Sequence, residues 1–218
     1  KLKEKYSQSF SHPVIDDQEK YRETVMGKHN FYETGEVAKE FSCRTNIEPE
    51  ELNKYKNIIE SRPPKTGLPH FLTELGNINF EFLLDFGSFR DIQRHRNGVC
   101  RMPLLTTGLG FHEWYLEQLP DSLRQKAEEL IKEQIININK LDTTPEIRQY
   151  YIAMGFNIPC RVSYGLPAAL YVIELRSGIY VHPTLRKAAH KMHEAILSML
   201  PGVKLHSAAP ISARVAST

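Results

Sequence analysis

A mixed helix-and-strand domain is predicted by two opposed periodicities and the residues that separate them. Residues 77–85, NINFEFLLD, set Ile78, Phe80, Phe82 and Leu84 against Asn77, Asn79 and Glu81 at alternate positions, the pattern of a strand with one buried face. Residues 121–141 switch to a period of 3.6, with Leu123, Ala127, Leu130, Ile131, Ile135 and Ile138 along one stripe. Pro120, Gly165 and Gly178 fall between stretches of unlike pattern, where chain-breaking residues belong.

In chain order, the amino-terminal third reads as short helices and loops. Residues 16–26 place Tyr21 and Val25 one turn apart, and residues 34–43 offer Val37, Ala38 and Phe41 as an apolar face. Residues 48–61 form a clearer helix, with Leu52, Tyr55, Ile58 and Ile59 on one side and acids in the first turn, where they complement the helix dipole. It stops at Arg62-Pro63-Pro64. Asp121 follows Pro120 as N-cap of the long helix. Residues 149–156, QYYIAMGF, read as a second strand that residues 158–164 extend or pair with. Helices are expected over 167–176 and 182–200, the latter carrying Leu185, Ala189, Met192, Ile196 and Met199 on one face and Pro183 in its first turn. Residues 1–200 are expected as a single domain, and residues 201–218 as a flexible tail.

Composition narrows the function. A chain of 218 residues, 41% hydrophobic and 25% charged, can bury a substantial core. A formal charge of +2 is too mild for a general nucleic-acid binder, so any basicity that matters is local. Cys43, Cys100 and Cys160 are odd in number and far apart, which suits reduced thiols in a cytoplasmic protein better than a disulfide framework. No apolar run approaches the roughly 18 to 20 residues that span a bilayer, and no signal-peptide pattern opens the chain. It opens on Lys1 rather than a methionine, which leaves room for an upstream segment.

Local basicity is concentrated in residues 86–101, FGSFRDIQRHRNGVCR, which hold Arg90, Arg94, Arg96, Arg101 and His95. Phe86, Phe89, Ile92 and Gln93 recur at helical spacing and should pin the segment to a core. Arg90 and Arg94 then share a face at i and i+4, where like charges repel unless an anion or an acid sits between them. Asp91 and His95 form a second such pair beside them. Arginine presents a planar fork of donors suited to phosphate or carboxylate, so an anionic ligand is expected here; the bland alternative is a solvated basic face.

Other candidates are weaker. His190 and His193 lie at i and i+3 with no third ligand at metal spacing, so no metal is expected. Cys100 beside Arg101 is a candidate nucleophile if an anion site adjoins it. No G-x-S-x-G elbow occurs. Trp114, Tyr115, Phe111 and His112 read as core packing or a stacking cluster. Arg176 ends a strongly apolar helix and needs a partner such as Glu174, a carbonyl or a ligand anion.

Arg94-His95-Arg96, preceded by Phe89-Arg90, resembles the Arg-His-Arg signature of the flavin-dependent thymidylate synthases. Glu174-Leu175-Arg176-Ser177, followed by Val181-His182-Pro183-Thr184-Leu185-Arg186-Lys187-Ala188-Ala189, is similar to that family's second signature. The strand over 77–85 falls where the family has its flavin-side strand. The resemblance implies an α+β domain, an antiparallel sheet flanked by helices, assembled as a homotetramer that encloses FAD. It implies transfer of a one-carbon unit from methylenetetrahydrofolate to dUMP, giving dTMP, with NADPH recharging the flavin and no enzyme cysteine required. By position, Arg94, His95 and Arg96 would meet the flavin. Arg176 and Arg148 would meet dUMP, with Arg90 beside them and with His182 and Arg186 supporting that wall.

The chain departs from the family pattern beyond Arg96. Met102, Leu104, Leu105 and Thr106 stand where an acid, a serine, a glycine and an arginine are usual, and Asn77, Gly165 and Pro167 replace a histidine, an asparagine and an arginine. A second expectation follows: a non-catalytic domain of the same fold that binds nucleotide or completes an oligomer. Gripping RNA or DNA ranks last, because the basic patch lacks the aromatic interleaving of a single-strand platform.

Overall fold

The computed structural model describes residues 1–10, 16–29, 31 and 41–207, and the chain divides into two units, residues 1–32 and 33–218. The first unit holds α1 (Leu2–Lys5) and α2 (Asp16–Lys20), the latter widening into a π-helical stretch, Tyr21–Met26. The helix over 16–26 is therefore present in two geometries, and Tyr21 and Val25 are exposed rather than packed.

The second unit runs β1 (Ser42–Thr45), α3 (Pro49–Asn53), α4 (Lys56–Ser61), β2 (Asn77–Asp85), α5 (Phe86–Gln93) and β3 (Gly98–Cys100). It continues through α6 (Glu113–Glu117), α7 (Asp121–Asn139), α8 (Pro145–Arg148), β4 (Asn157–Gly165), α9 (Leu166–Arg176) and α10 (Pro183–Met199). The strands form one antiparallel sheet in the order β1-β2-β4-β3. This is an α+β architecture.

The register of β2 on β4 explains the sheet's two faces. Ile78 lies opposite Tyr164, Phe80 opposite Val162, Phe82 opposite Cys160 and Leu84 opposite Ile158, and all eight are buried. The intervening positions carry Asn79, Glu81, Arg161 and Ser163; Glu81 takes Arg161 at 3.5 Å and Arg44 of β1 at 3.2 Å across the polar face. Because side chains alternate along a strand, the buried set can face only one layer of helices. Phe89 and Ile92 of α5, Leu170 and Ile173 of α9, and Leu185, Met192 and Ile196 of α10 fill that layer. At the β3 edge Gly98 sits where any Cβ would collide with the Tyr164 ring, so only glycine lets the two strands close up.

Several elements differ from their sequence pattern. The helix over 48–61 breaks into α3 and α4 at Tyr55, whose φ −110° and ψ 14° leave the helical region. Of the helix over 34–43, residues 34–40 lie outside the described residues, and Ser42–Thr45 is strand. Pro120 rather than Asp121 occupies the N-cap of α7, and Leu123 and Leu130 of its stripe are exposed. Residues 149–156 are not a strand. Gln149–Tyr151 form a 3-10 turn, Tyr150, Tyr151 and Met154 face solvent, and only Phe156 makes a bridge, to Phe111. That apolar run cannot fold back on β4, the strand it leads into, since both sides of β4 are taken by β2 and β3. Residues 158–164 lie within β4.

A buried ion pair ties three segments together. Arg62, 5% exposed, donates from both terminal nitrogens to Glu174 of α9, at 3.0 and 2.5 Å, and to the carbonyls of Thr66 and Lys204. Glu174 also accepts from the His206 amide at 2.8 Å. Val203 is buried beside it, and residues 208–218 lie outside the described residues. Burial works to raise the Glu174 carboxyl, but the bonds from Arg62 and His206 outweigh it and hold the group below its ordinary value of 4.5. A carboxyl lowered in the folded state contributes stability that is complete above its unfolded value and fades as pH falls through the folded one. Glu174→Gln, which leaves Arg62 buried without its counter-charge, should lose about 3 kcal/mol in urea unfolding at pH 7. The gap to the natural protein should narrow below pH 4.5; a gap that stays constant to pH 3 would contradict the assignment.

Candidate functional site

Helix α5 is held at both ends by its own aspartates. At its start, Asp85 is fully buried and its carboxylate accepts from the Ser88 amide at 2.8 Å, the N-cap bond that begins the helix. The same carboxylate accepts from the Tyr115 hydroxyl at 3.0 Å and from the Thr184 hydroxyl. Thr184 in turn lies 2.8 Å from both Ser88 Oγ and His182 Nδ1, so β2, α5, α6 and α10 meet on one buried charge.

At its end, Asp91 stands between arginines from two distant stretches. Asp91 Oδ1 lies 3.6 Å from Arg94 Nη1, and Oδ2 lies 3.6 Å from Arg176 Nη1. Arg176 Nη2 also donates to the Asp91 carbonyl at 3.0 Å, and its Nε donates to His95 Nε2 at 3.0 Å. Since His95 Nε2 accepts, the ring is neutral with its proton on Nδ1. Burial first, then Arg176, push the His95 pKa below its ordinary 6.5, and Asp91 pulls it back. The imidazole meets Tyr171 edge-on at 6.1 Å.

Beside this junction Arg90, Gln93, Arg94 and Arg96 line an open cavity of about 640 Å³. All four are exposed, so Gln93 faces solvent and the buried companions of Phe89 and Ile92 include Ser88 instead. Arg90, Arg94, His95, Arg96 and Arg176 are thus gathered at one end of α5. His182 is not: it sits at the other end, packed edge-on against Trp114 at 4.6 Å and stacked with Tyr115 at 5.5 Å. Arg186 donates to the Ile179 carbonyl at 3.1 Å. Arg148 closes the α7–α8 connection by donating to the carbonyls of Leu141 and Thr143. Glu174, a candidate partner for Arg176, is engaged by Arg62.

The remaining candidates have structural partners. His193 bonds to Ser207, and among the described residues no group of three or more His, Cys, Asp and Glu could hold a metal. All three cysteines are free thiols; a hydrogen bond with Cys160 lowers the Cys100 pKa, while burial raises that of Cys160. Asp85 is not expected from the sequence as an organising group, and Asp91 is expected only as the i, i+4 partner of His95 that eases the crowding of Arg90 and Arg94, not as the partner of Arg176. Asp85 had a signal, an acid three residues ahead of a serine where a strand pattern meets a helical one.

No family model matches the chain. It is similar to a UPF0159 protein of Thermoplasma acidophilum, 32% identical over 155 residues, which cover 70% of this chain and 30% of that protein. It is also similar to UPF0159 proteins of Chlamydia pneumoniae, 28% identical over 133 residues, and of Chlamydia muridarum, 29% identical over 133 residues. Those matches cover 61% and 60% of this chain and 25% of each relative. The chain therefore spans less than a third of the curated relatives it matches.

The charges around His95 make its titration a direct readout of the junction. Asp91→Asn removes the group that raises the His95 pKa and should lower it further, while Arg176→Gln removes a group that lowers it and should raise it. An imidazole NMR titration measures both; shifts of the same sign would place His95 outside this cluster.

Proposed function

We propose that the α5–α9 arginine face holds the phosphate of a nucleotide, in a domain of the flavin-dependent thymidylate synthase type. The observation that carries this reading is the pair of 3.6 Å contacts from Asp91 to Arg94 and Arg176. Contacts of that length are ion pairs without close hydrogen bonds, so an anion that reaches about 2.8 Å from a guanidinium competes with them. Arg94, with its side chain 70% exposed, can turn toward such a guest, and Arg90 and Arg96 line the same cavity.

The lining suits the phosphates of dUMP or FAD: among the described residues it holds three guanidiniums, one amide and no acid. The flavin ring needs an apolar or aromatic wall that these four side chains do not supply; a second copy in a homo-oligomer is the proposed source. FAD, when bound, supplies the reducing equivalents, drawn from NADPH, that convert the one-carbon unit of methylenetetrahydrofolate into the methyl group of dTMP. This chain's own part is to bind and orient, with His95 fixed in one tautomer by Arg176.

The non-catalytic reading is favoured by one observation of its own. All three nitrogens of the Arg176 guanidine group face Asp91 and His95, a structural use of the fork. The two readings part experimentally. Binding of dUMP and FAD to the natural protein and to Arg94→Ala is measured by calorimetry, with flavin absorbance and dTMP formation as further readouts. Arg94→Ala should fold normally and bind dUMP about tenfold or more weakly, the loss of one charged hydrogen bond. Flavin binding with dTMP formation supports transfer; nucleotide binding alone supports the non-catalytic domain. Absence of binding to both ligands contradicts transfer and nucleotide binding alike, and leaves only a domain that completes an oligomer.

A further inference from the structure

A second cavity, about 490 Å³, lies between β2 and α10 and shares no lining residue with the arginine face. Its apolar wall consists of Phe82 and Leu84, both buried, with the Phe41 ring stacked on Phe82 at 5.8 Å. Its polar side carries Lys187 and Lys191, one helical turn apart on α10, exposed and in no ion pair among the described residues. Like charges at i and i+4 repel, and an anion between them would remove that cost.

His112 completes the polar side. Its Nδ1 accepts from the Trp114 amide at 3.2 Å, the cap of α6, which leaves Nε2 as the N–H donor of the neutral ring. Burial foremost, with help from Lys187 and His182 and against Asp85 and Glu117, lowers the His112 pKa and favours that neutral donor. Among the described residues, the nine that line this cavity include no acid. The Asp85 carboxylate behind Thr184 is already filled by three donors. A concave, partly apolar space of this size with a few convergent donors is the usual form of a small-ligand site.

We propose that this cavity binds a small amphipathic anion, a phosphate or carboxylate on an aromatic or aliphatic body. The head group lies between Lys187 and Lys191, and the body rests on Phe41, Phe82 and Leu84. Binding here needs no ligand at the arginine face.

Trp114, the single tryptophan of the chain, is bonded through its amide to His112 and gives a local fluorescence signal. Phenyl phosphate and inorganic phosphate are titrated into the natural protein and into the double variant Lys187→Gln/Lys191→Gln. Both lysines are exposed, so the variant should keep its thermal unfolding curve. Phenyl phosphate should bind at least about tenfold more tightly than inorganic phosphate, and the variant should lose at least about tenfold of that affinity. Equal affinities for the two probes, an unchanged affinity in the variant, or no binding of phenyl phosphate would each overturn the proposal.

Discussion

The Asp91 carboxylate is the constraint on which the candidate site depends. Among the described residues it is the one carboxylate that pairs with arginines from both distant stretches, Arg94 just past α5 and Arg176 at the end of α9. Without it, two guanidiniums would approach each other at the end of a helix whose own face already carries Arg90, and repulsion would open the junction. With it, α5 and α9 are joined at the same end, and His95 is carried between them as an acceptor for Arg176. The geometry of the arginine face is therefore a consequence of packing as much as of charge.

Asp85 gives α5 its other anchor, and the two aspartates do different work. Asp85 is buried and fully bonded, so it fixes the start of the helix to α6 and α10 and leaves no capacity for a guest. Asp91 is half-exposed and holds its arginines at longer range, so it can yield to a competing anion. A rigid start and an adjustable end suit a helix that presents charge to a ligand, because the scaffold stays in place while the guanidiniums rearrange.

Legibility in the sequence followed the physics of each element. β2 is readable to the residue because it is long enough to show a period of two and has a solvated polar face. α9 and α10 are readable to within about a residue because Pro167 and Pro183 mark their first turns. β1 and β3 are four and three residues long, too short to carry a period, and exist because β2 and β4 offer edges to pair with. The run over 149–156 has strand-like composition but pairs only through the Phe156 bridge to Phe111, and composition alone does not make a ladder.

The site was legible in its parts and not in its wiring. That Arg176 needs a partner follows from its place at the end of a buried helix; that the expected Glu174 is not that partner emerges only in the fold, where Arg62 takes it. Its real partners, Asp91 and His95, are more than 80 residues away in the chain and are chosen by the docking of α9 on α5. A double-mutant cycle in chemical unfolding, with Asp91→Asn and Arg176→Gln, tests that docking most directly. The two losses should be non-additive by about 0.5 to 3 kcal/mol, the range for residues in one charged network. Strict additivity would contradict a shared junction and remove the basis for a converged anion site.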